Sequence, residues 1–137
     1  MRKKVMAAVL TAAMVASVSA MPQMVAAADD EFKIGLITDV GGVNDGSFNQ
    51  SAWEGLEKAG EELGVEVNYL ESATDADYQP NMETFVDEDY DLIISVGYML
   101  ADATREAAEA NPDTKFAIID DATIDLPNVT SLMFKAE

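Results

Sequence analysis

The chain has 137 residues, about one domain by length, and a hydrophobic content of 49%, which is enough for a packed core. It contains no cysteine and no histidine, which excludes disulfides, thiolate metal sites, the usual zinc sites and catalysis by Ser-His-Asp or Cys-His groups. The net charge of −18 disfavours binding to nucleic acid or to anionic lipid.

The first 28 residues have the pattern of a secretory signal peptide. Residues 2–4 are all positively charged, Val5–Ala20 is an apolar run without charge, and residues 26–28 are three alanines. This pattern predicts cleavage before Asp29. An uncleaved membrane anchor is the alternative, although the run is short and rich in alanine for a membrane span. The mature chain is then expected to cover residues 29–137.

Strand and helix patterns alternate along the rest of the chain. We expect strands near 33–38, 65–70, 91–96, 115–119 and 129–133, with helices near 47–63, 77–86 and 99–110. The apolar segment Leu92–Val96 is typical of a central parallel strand that is covered on both faces. The order predicts an α/β fold, an open and mostly parallel sheet with helices on both faces.

Several residues of the predicted helices have expected structural roles. The first helix is predicted to bury a stripe at spacings of three and four residues: Ala52, Leu56, Ala59 and Leu63. Trp53 flanks that stripe and is expected to pack in the core rather than serve as a ligand platform. Gly64 is expected to end the helix, and Pro80 fits only in the first turn of the second. The acidic run 87–91 lacks the glycine and glutamate of a calcium loop, so we interpret it as a solvated turn.

A glycine-rich loop joins the first strand to the first helix over residues 38–50. Ser47 stands where a phosphate-binding loop needs lysine, and Asp39 and Asp45 would repel a phosphate. Ser47 is instead predicted to cap the helix. Carboxylates and amides at this helix end suit a neutral ligand with hydroxyl or ring N–H groups. The alternative is a structural turn in which Phe48 plugs the core.

Three predicted strand ends meet at one edge of such a sheet, where open α/β sheets bind ligands. They carry Asp39 with the Phe48 loop, then Gly97 and Tyr98, then Asp120 followed by Asp121. Two carboxylates, aromatic rings and an amide suit a sugar with a flat base attached. A pair of carboxylates is also compatible with acid–base catalysis, so a nucleoside hydrolase is the enzymatic alternative.

The segment DVGGVNDGSFNQSAWEGL over residues 39–56 resembles the opening signature of the basic membrane protein family. These are purine nucleoside receptor-like substrate-binding proteins of bacterial ABC transporters. The resemblance extends from Lys33 to the end of the chain. Family members are much longer, so it implies that residues 29–137 are the N-terminal part of a two-lobe protein, a truncated lobe of the type I periplasmic-binding-protein kind.

The resemblance also implies roles for individual residues. Phe48 matches the aromatic residue that stacks on the base, and Asp39 and Asn49 match residues that contact it. Asp120 matches the aspartate that holds the ribose hydroxyls. Tyr98 stands where the family often has an aromatic residue that lines the cleft, and Gly97 precedes it at the strand end as a candidate ligand-binding residue. A second stacking ring and a ribose-side lysine are expected in the part of the family that extends beyond this chain.

The function implied is the binding of purine nucleosides for uptake, without a chemical reaction and without a cofactor or metal. The implied partners are the permease and ATPase subunits of the transporter. The implied location is outside the cytoplasm, in the periplasm or on the outer face of the cell membrane. Many relatives are anchored through a lipidated cysteine, which this sequence lacks, so a secreted protein is expected. A receptor or binding module for another small polar ligand is the alternative.

Overall fold

A computed structural model describes residues 31–135 of the chain, so the predicted signal peptide lies outside the described residues. The described elements are β1 Lys33–Ile37, α1 Phe48–Leu63, β2 Glu66–Leu70, α2 Tyr78–Asp87, β3 Leu92–Val96, α3 Ala101–Ala110, β4 Lys115–Ile119 and β5 Val129–Leu132. Short 3₁₀ turns precede α2 and α3. All of the predicted strands and helices are confirmed, with ends that differ by one or two residues.

The strands form a single sheet in the order β2-β1-β3-β4-β5, and every neighbouring pair is parallel. The predicted parallel sheet and the central position of Leu92–Val96 are both confirmed. After β1 the chain adds β2 on one side of it, and then adds β3, β4 and β5 in turn on the other side. The ends of β1 and β3 therefore flank a topological switch point, where α/β sheets leave a crevice for ligands.

Helices cover both faces of the sheet, as predicted. On one face Leu56 of α1 packs with Leu36, Val96 and Ile119. On the other face α2 and α3 pack against the sheet, with a cluster of apolar side chains that includes Ile37, Met82, Phe85, Ile93, Ala107 and Phe116. Gly35 permits this second layer, since a Cβ there would lie 2.6 Å from the Phe85 ring.

The expected buried stripe of α1 is correct only in part. Leu56 is buried, whereas Leu63, the last residue of the helix, is 74% exposed. Trp53 is partly buried against the core and makes an edge contact with Tyr69, with 4.7 Å between ring centroids. Gly64 ends the helix with φ +70°, and its amide donates to the Gly60 carbonyl at 3.0 Å. No helix within residues 31–135 is long and apolar enough to cross a membrane.

Candidate functional site

The candidate site lies at the carboxyl edge, which we define as the segments that follow the strands: 38–48, 71–74, 97–98, 120–121 and 133–134. Because β1, β3 and β4 are neighbours, the three predicted strand ends are adjacent. A Cβ added to Gly97 would lie 4.0 Å from the Asp39 Oδ2 atom. The structure therefore brings the ends of β1 and β3 together at the switch point.

The Asp39 carboxylate has a fixed orientation. Its Oδ1 atom accepts hydrogen bonds from the Asn49 side-chain amide at 2.7 Å and from the Gly41 backbone at 2.9 Å. The other oxygen of Asp39, Oδ2, is the one that lies nearer to Gly97. A carboxylate held in this way can accept from a neutral donor without first being reoriented.

Asn49 lies beneath the loop rather than on the surface of the site. It is 1% exposed, and its Oδ1 atom is buried without a partner among the described residues. A buried amide oxygen without a partner is unusual, because such groups are nearly always hydrogen-bonded. In this conformation the Asn49 amide holds the Asp39 carboxylate in place.

The start of α1 is capped by Asp45, and the prediction that Ser47 caps it is wrong. Ser47 makes no side-chain capping bond. The Asp45 carboxylate accepts from the backbone N–H groups of Ser47 at 2.7 Å, Gln50 at 3.0 Å and Asn49 at 3.2 Å. Burial by itself raises the pKa of Asp45, but the backbone hydrogen bonds together lower that pKa by a larger amount. The pKa of Asp45 therefore lies below the ordinary value of 3.8. Asp45 therefore stays ionised and shapes the loop.

Glu71, which sequence reasoning missed, holds the opposite side of the same loop. Its Oε1 atom accepts from the Val43 backbone at 2.9 Å. Gly42 has φ +66°, and a Cβ there would lie 2.6 Å from that oxygen, so glycine is needed for both reasons. The only signal in the sequence was that Glu71 directly follows a predicted strand.

The Phe48 ring is 49% exposed, so the alternative in which Phe48 plugs the core is wrong. It borders an open cleft of about 470 Å³, which is lined by Ser47, Phe48, Ser51, Ala52, Ile119 and Phe134. The ring centroids of Phe48 and Phe134 are 6.4 Å apart, and their planes are tilted by 53°. Phe134 could not be identified from the sequence, because it lies two residues beyond the short strand β5, where no periodic pattern extends.

Gly97 and Tyr98 continue the edge from the end of β3. Gly97 has φ +98°, and its amide donates to the Ile119 carbonyl at 3.0 Å. Tyr98 begins a short 3₁₀ turn and is 67% exposed. The backbone therefore ties the ends of β3 and β4 together, while the Tyr98 side chain remains available to a ligand.

The two aspartates after β4 have different roles. Asp120 is exposed and has a left-handed backbone with φ +62°, and its amide donates to the Leu132 carbonyl at 2.9 Å. Asp121 is buried, and its carboxylate accepts from the backbone and the hydroxyl of Thr123 at 2.9 and 2.7 Å. Asp120 is therefore available to a ligand, and Asp121 shapes the following turn.

Tyr78 lies in the apolar cluster that includes Ile37 and Met82. It is 4% exposed, and its hydroxyl is buried without a partner among the described residues. Burial raises the pKa of Tyr78, and the negative charges of Asp39 and Asp75 raise it further. The hydroxyl therefore stays protonated.

Within residues 31–135 no group of three or more carboxylate side chains is arranged to hold a metal ion.

A parallel sheet of this order, with a glycine-rich loop at its switch point, defines a ligand-binding lobe of an α/β protein. The chain matches the Bmp family, described as ABC transporter substrate-binding protein PnrA-like, over residues 32–137. It therefore belongs to this family, whose members are substrate-binding proteins rather than enzymes. The resemblance noted in the sequence is confirmed.

Two relatives and one solved structure illustrate the match. The CD4+ T-cell-stimulating antigen of Listeria monocytogenes is 49% identical over 110 residues, which cover 77% of this chain and 31% of that protein. The ABC transporter nucleoside-binding protein BmpA of Lactococcus lactis is 42% identical, with 76% and 31% covered. An ABC transporter solute-binding protein of Aeropyrum pernix K1 superposes with a TM-score of 0.67 at 34% identity, with 73% and 28% covered. The chain thus spans about a third of the length of these relatives.

Proposed function

We propose that this chain is the N-terminal part, residues 29–137, of an ABC transporter substrate-binding protein that binds purine nucleosides for uptake. The observation that carries the proposal is the half-exposed Phe48 ring at the same edge of the sheet as the Asp39 and Asp120 carboxylates. A flat ring beside fixed acceptors suits a ligand with an aromatic base and a hydroxylated sugar.

Each side chain has a part in this proposal. The Phe48 ring stacks on the base, and stacking of this kind is worth roughly 1–3 kcal/mol per base. Asp39 accepts from a ring N–H group of the base, with Asn49 holding its carboxylate. Asp120 accepts from the ribose hydroxyls as charge-assisted hydrogen bonds. Gly97 and Tyr98 form the wall between the two carboxylates.

Charge favours a nucleoside over a nucleotide. The candidate site contains the Asp39 and Asp120 carboxylates and the ionised Asp45, and the whole chain has a net charge of −18. A phosphate group would be repelled by these like charges. The name of the Lactococcus lactis relative, a nucleoside-binding protein at 42% identity, supports the same choice. It does so over a third of that protein only.

The proposal extends to partners and location. A substrate-binding protein of this family delivers its ligand to a permease, which an ATPase drives. The predicted signal peptide of residues 1–28 and the family both support a position outside the cytoplasm, either secreted or at the outer face of the cell membrane. The described residues cover one side of a ligand only, whereas good pockets bury roughly 70–90% of a ligand's surface. We therefore expect weak binding by this chain.

Ligand-observed saturation-transfer NMR tests the proposal, since it detects weak binding. The full 137-residue chain is mixed separately with inosine, guanosine, uridine, ribose and inosine 5′-monophosphate. We expect transfer to the base and ribose protons of the purine nucleosides and little transfer to the monophosphate. The Lactococcus lactis relative serves as a positive control. If neither inosine nor guanosine shows saturation transfer while the control protein does, the proposal is contradicted.

A further inference from the structure

Glu71 lies outside the loop that joins β1 to α1, residues 38–47, but holds that loop near its middle. Its Oε1 atom accepts from the Val43 backbone N–H at 2.9 Å. Every other side-chain hydrogen bond to residues 38–47 within the described part of the chain comes from the loop itself or from α1. The bond from Glu71 therefore ties the loop to the end of β2.

The backbone from which Glu71 extends is itself fixed. The Asn81 side-chain amide of α2 donates to the Glu71 carbonyl at 3.2 Å and to the Ser72 hydroxyl at 3.1 Å, and Ser72 is buried. Just before Glu71, the Leu70 carbonyl accepts from the Thr38 N–H at 3.1 Å. Since β1 and α2 both hold this segment, the Glu71 carboxylate is a fixed point for the loop.

The loop is shaped to receive the Glu71 carboxylate. Gly42 approaches it so closely that an added Cβ would lie 2.6 Å from Oε1, so no side chain fits between the loop and Glu71. The next residue, Val43, is buried, although the loop around it is largely exposed. The hydrogen bond and the buried side chain thus fix the loop at the same residue.

The residues that Glu71 holds are also those that orient Asp39. The Gly41 N–H donates to the Asp39 Oδ1 atom at 2.9 Å, and the Gly42 N–H donates to the Asp39 carbonyl at 3.3 Å. Because residues 41–43 are consecutive, a displacement of Val43 would move both of these donors. The position of the Glu71 carboxylate therefore affects the orientation of Asp39 through the loop backbone.

From these contacts we infer that Glu71 is a positioning residue for the candidate site, which holds the loop in the conformation that binds the ligand. The inference rests on the proposed function. Affinity falls when the binding-competent conformation is only partly populated, so loss of the Glu71 bond should weaken binding through the groups that the loop carries, Asp39 above all. Asp120 should be unaffected, because its backbone is held by Leu132 of β5 and not by this loop.

The test is an NMR titration of the full chain with inosine and with hypoxanthine, the free base of inosine. We expect Glu71→Ala to weaken the binding of both by the same factor, about threefold to tenfold, since the loss of one hydrogen bond shifts a conformational equilibrium by about that much. Glu71→Gln keeps a carbonyl acceptor at the same reach and should bind both ligands nearly as the unmodified chain does. Glu71→Asp keeps the charge but is one methylene shorter, so its loss should match that of Glu71→Ala.

Hydrogen exchange of the Val43 amide reports on the contact itself without any ligand. Glu71→Ala and Glu71→Asp should both accelerate this exchange, whereas Glu71→Gln should leave it slow. Glu66→Ala is the matched control, because Glu66 is a glutamate at the opposite end of β2 that accepts from the Asn68 side chain. It should change neither the affinity nor the exchange of Val43. Amide spectra of every variant establish that the fold is retained.

The possible results separate this inference from the proposed function. Unchanged inosine affinity in Glu71→Ala would overturn the inference and leave the proposed function intact. A loss in Glu71→Gln that Glu71→Asp does not share would also overturn it, because affinity would then follow the charge and not the hydrogen bond. A loss for inosine that hypoxanthine does not share would overturn it as well, because the effect would then lie on the ribose side. Absence of inosine binding to the unmodified chain would overturn both.

Discussion

The two edges of the sheet are both acidic, but they use their carboxylates differently. The amino edge, the segments that precede the strands, includes Glu31, Lys33, Glu66, Asp89 and Asp91 around one cavity. There Asp91 accepts from the Lys33 backbone at 2.8 Å, and the Lys33 ammonium group donates to the Glu88 carbonyl. The Asn68 amide donates to Glu66 and to the Tyr90 hydroxyl at 3.1 and 2.7 Å. Lys33, Glu66 and Asp91 are thus engaged by hydrogen bonds within this edge.

At the carboxyl edge most carboxylates accept from the backbone of their own loops, while Glu71 accepts from the loop between β1 and α1. Asp39 uses one oxygen for Asn49 and Gly41, and the exposed Phe48 and Phe134 rings have open faces. Beneath this edge, buried polar atoms of Asn49 and Tyr78 have no partner within residues 31–135. Acidity alone therefore does not mark a site in a chain of net charge −18. Carboxylates held in a fixed orientation beside exposed aromatic rings indicate a candidate site better than acidity does.

The largest expected effect is on affinity, when a comparable aspartate is removed from each edge. Asp120 and Asp89 both have a left-handed backbone, with φ +62° and +57°, so glycine suits both positions. Asp120→Gly should weaken nucleoside binding by about 1.5–3 kcal/mol for each charge-assisted bond lost, while Asp89→Gly should leave it unchanged. Titration with inosine measures both.

Binding of a free base provides the control for this experiment. Hypoxanthine has no ribose, so Asp120→Gly should not alter its affinity. An equal loss for inosine and hypoxanthine would contradict the assignment of Asp120 to the ribose. A loss caused by Asp89→Gly would show that the two edges are not distinct in function.

The next effect concerns the rings. Phe48 and Phe32 are equally exposed, at 49% and 48%, but lie at opposite edges of the sheet. Phe48→Ala should cost roughly 1–3 kcal/mol of purine nucleoside affinity through the lost stacking face. Phe32→Ala removes the same surface and should have no effect on binding. The pair separates stacking from a general loss of apolar area, and a similar cost from both would contradict the proposed position of the base.

Much of the fold could be predicted because its signals are local. Apolar runs and helical spacings identified every strand and helix, and parallel pairing followed from their alternation. The lateral order of the strands was not predictable in this way, since periodicity says nothing about which strands are neighbours. Leu63 shows the same limit at smaller scale, because its spacing is typical of a buried residue but its side chain is exposed.

The location of a candidate-site residue could be predicted where a polar or aromatic residue directly follows a strand. It could not be predicted where a side chain turns back onto its own loop. The location of Asp39, Phe48 and Asp120 at the carboxyl edge could be predicted from their positions after strands and at a helix start; their roles toward a ligand stay predictions. The capping role of Asp45 depends on the path of the loop, which no pattern specifies. Phe134 approaches Phe48 only through the pairing of β4 with β5, a contact between residues far apart in the sequence.

A smaller effect, on stability, distinguishes how the edges hold their loops. Asp45→Ala removes the acceptor of three backbone N–H groups at the start of α1 and should cost roughly 0.5–2 kcal/mol of unfolding free energy. Asp91→Ala at the amino edge removes one bond from an exposed site and should cost less. Urea denaturation at neutral pH measures the difference.

The pH dependence of that cost has a definite sign. The pKa of Asp45 is lower in the folded chain than its ordinary value of 3.8. Its contribution is therefore fully present above that value and is lost as pH falls through the lower, folded value. The stability difference between the unmodified chain and Asp45→Ala should be constant near neutral pH and shrink below about pH 4. A difference that grows on acidification would contradict the capping role.

The smallest expected effect is on the stability of the two left-handed aspartates. A left-handed backbone costs an ordinary residue roughly 1–2 kcal/mol, which glycine avoids, but glycine loses roughly 0.5–1 kcal/mol more through unfolded-state entropy. The two terms largely cancel, so Asp120→Gly and Asp89→Gly should each change the unfolding free energy by less than about 1 kcal/mol, in the stabilising direction. Because φ differs by only a few degrees between the two positions, the changes should be equal, as urea denaturation can measure.

A much larger gain at Asp120 would mean that this edge stores strain for binding. Equal gains would mean that the edges differ in what their side chains offer a ligand and not in backbone strain.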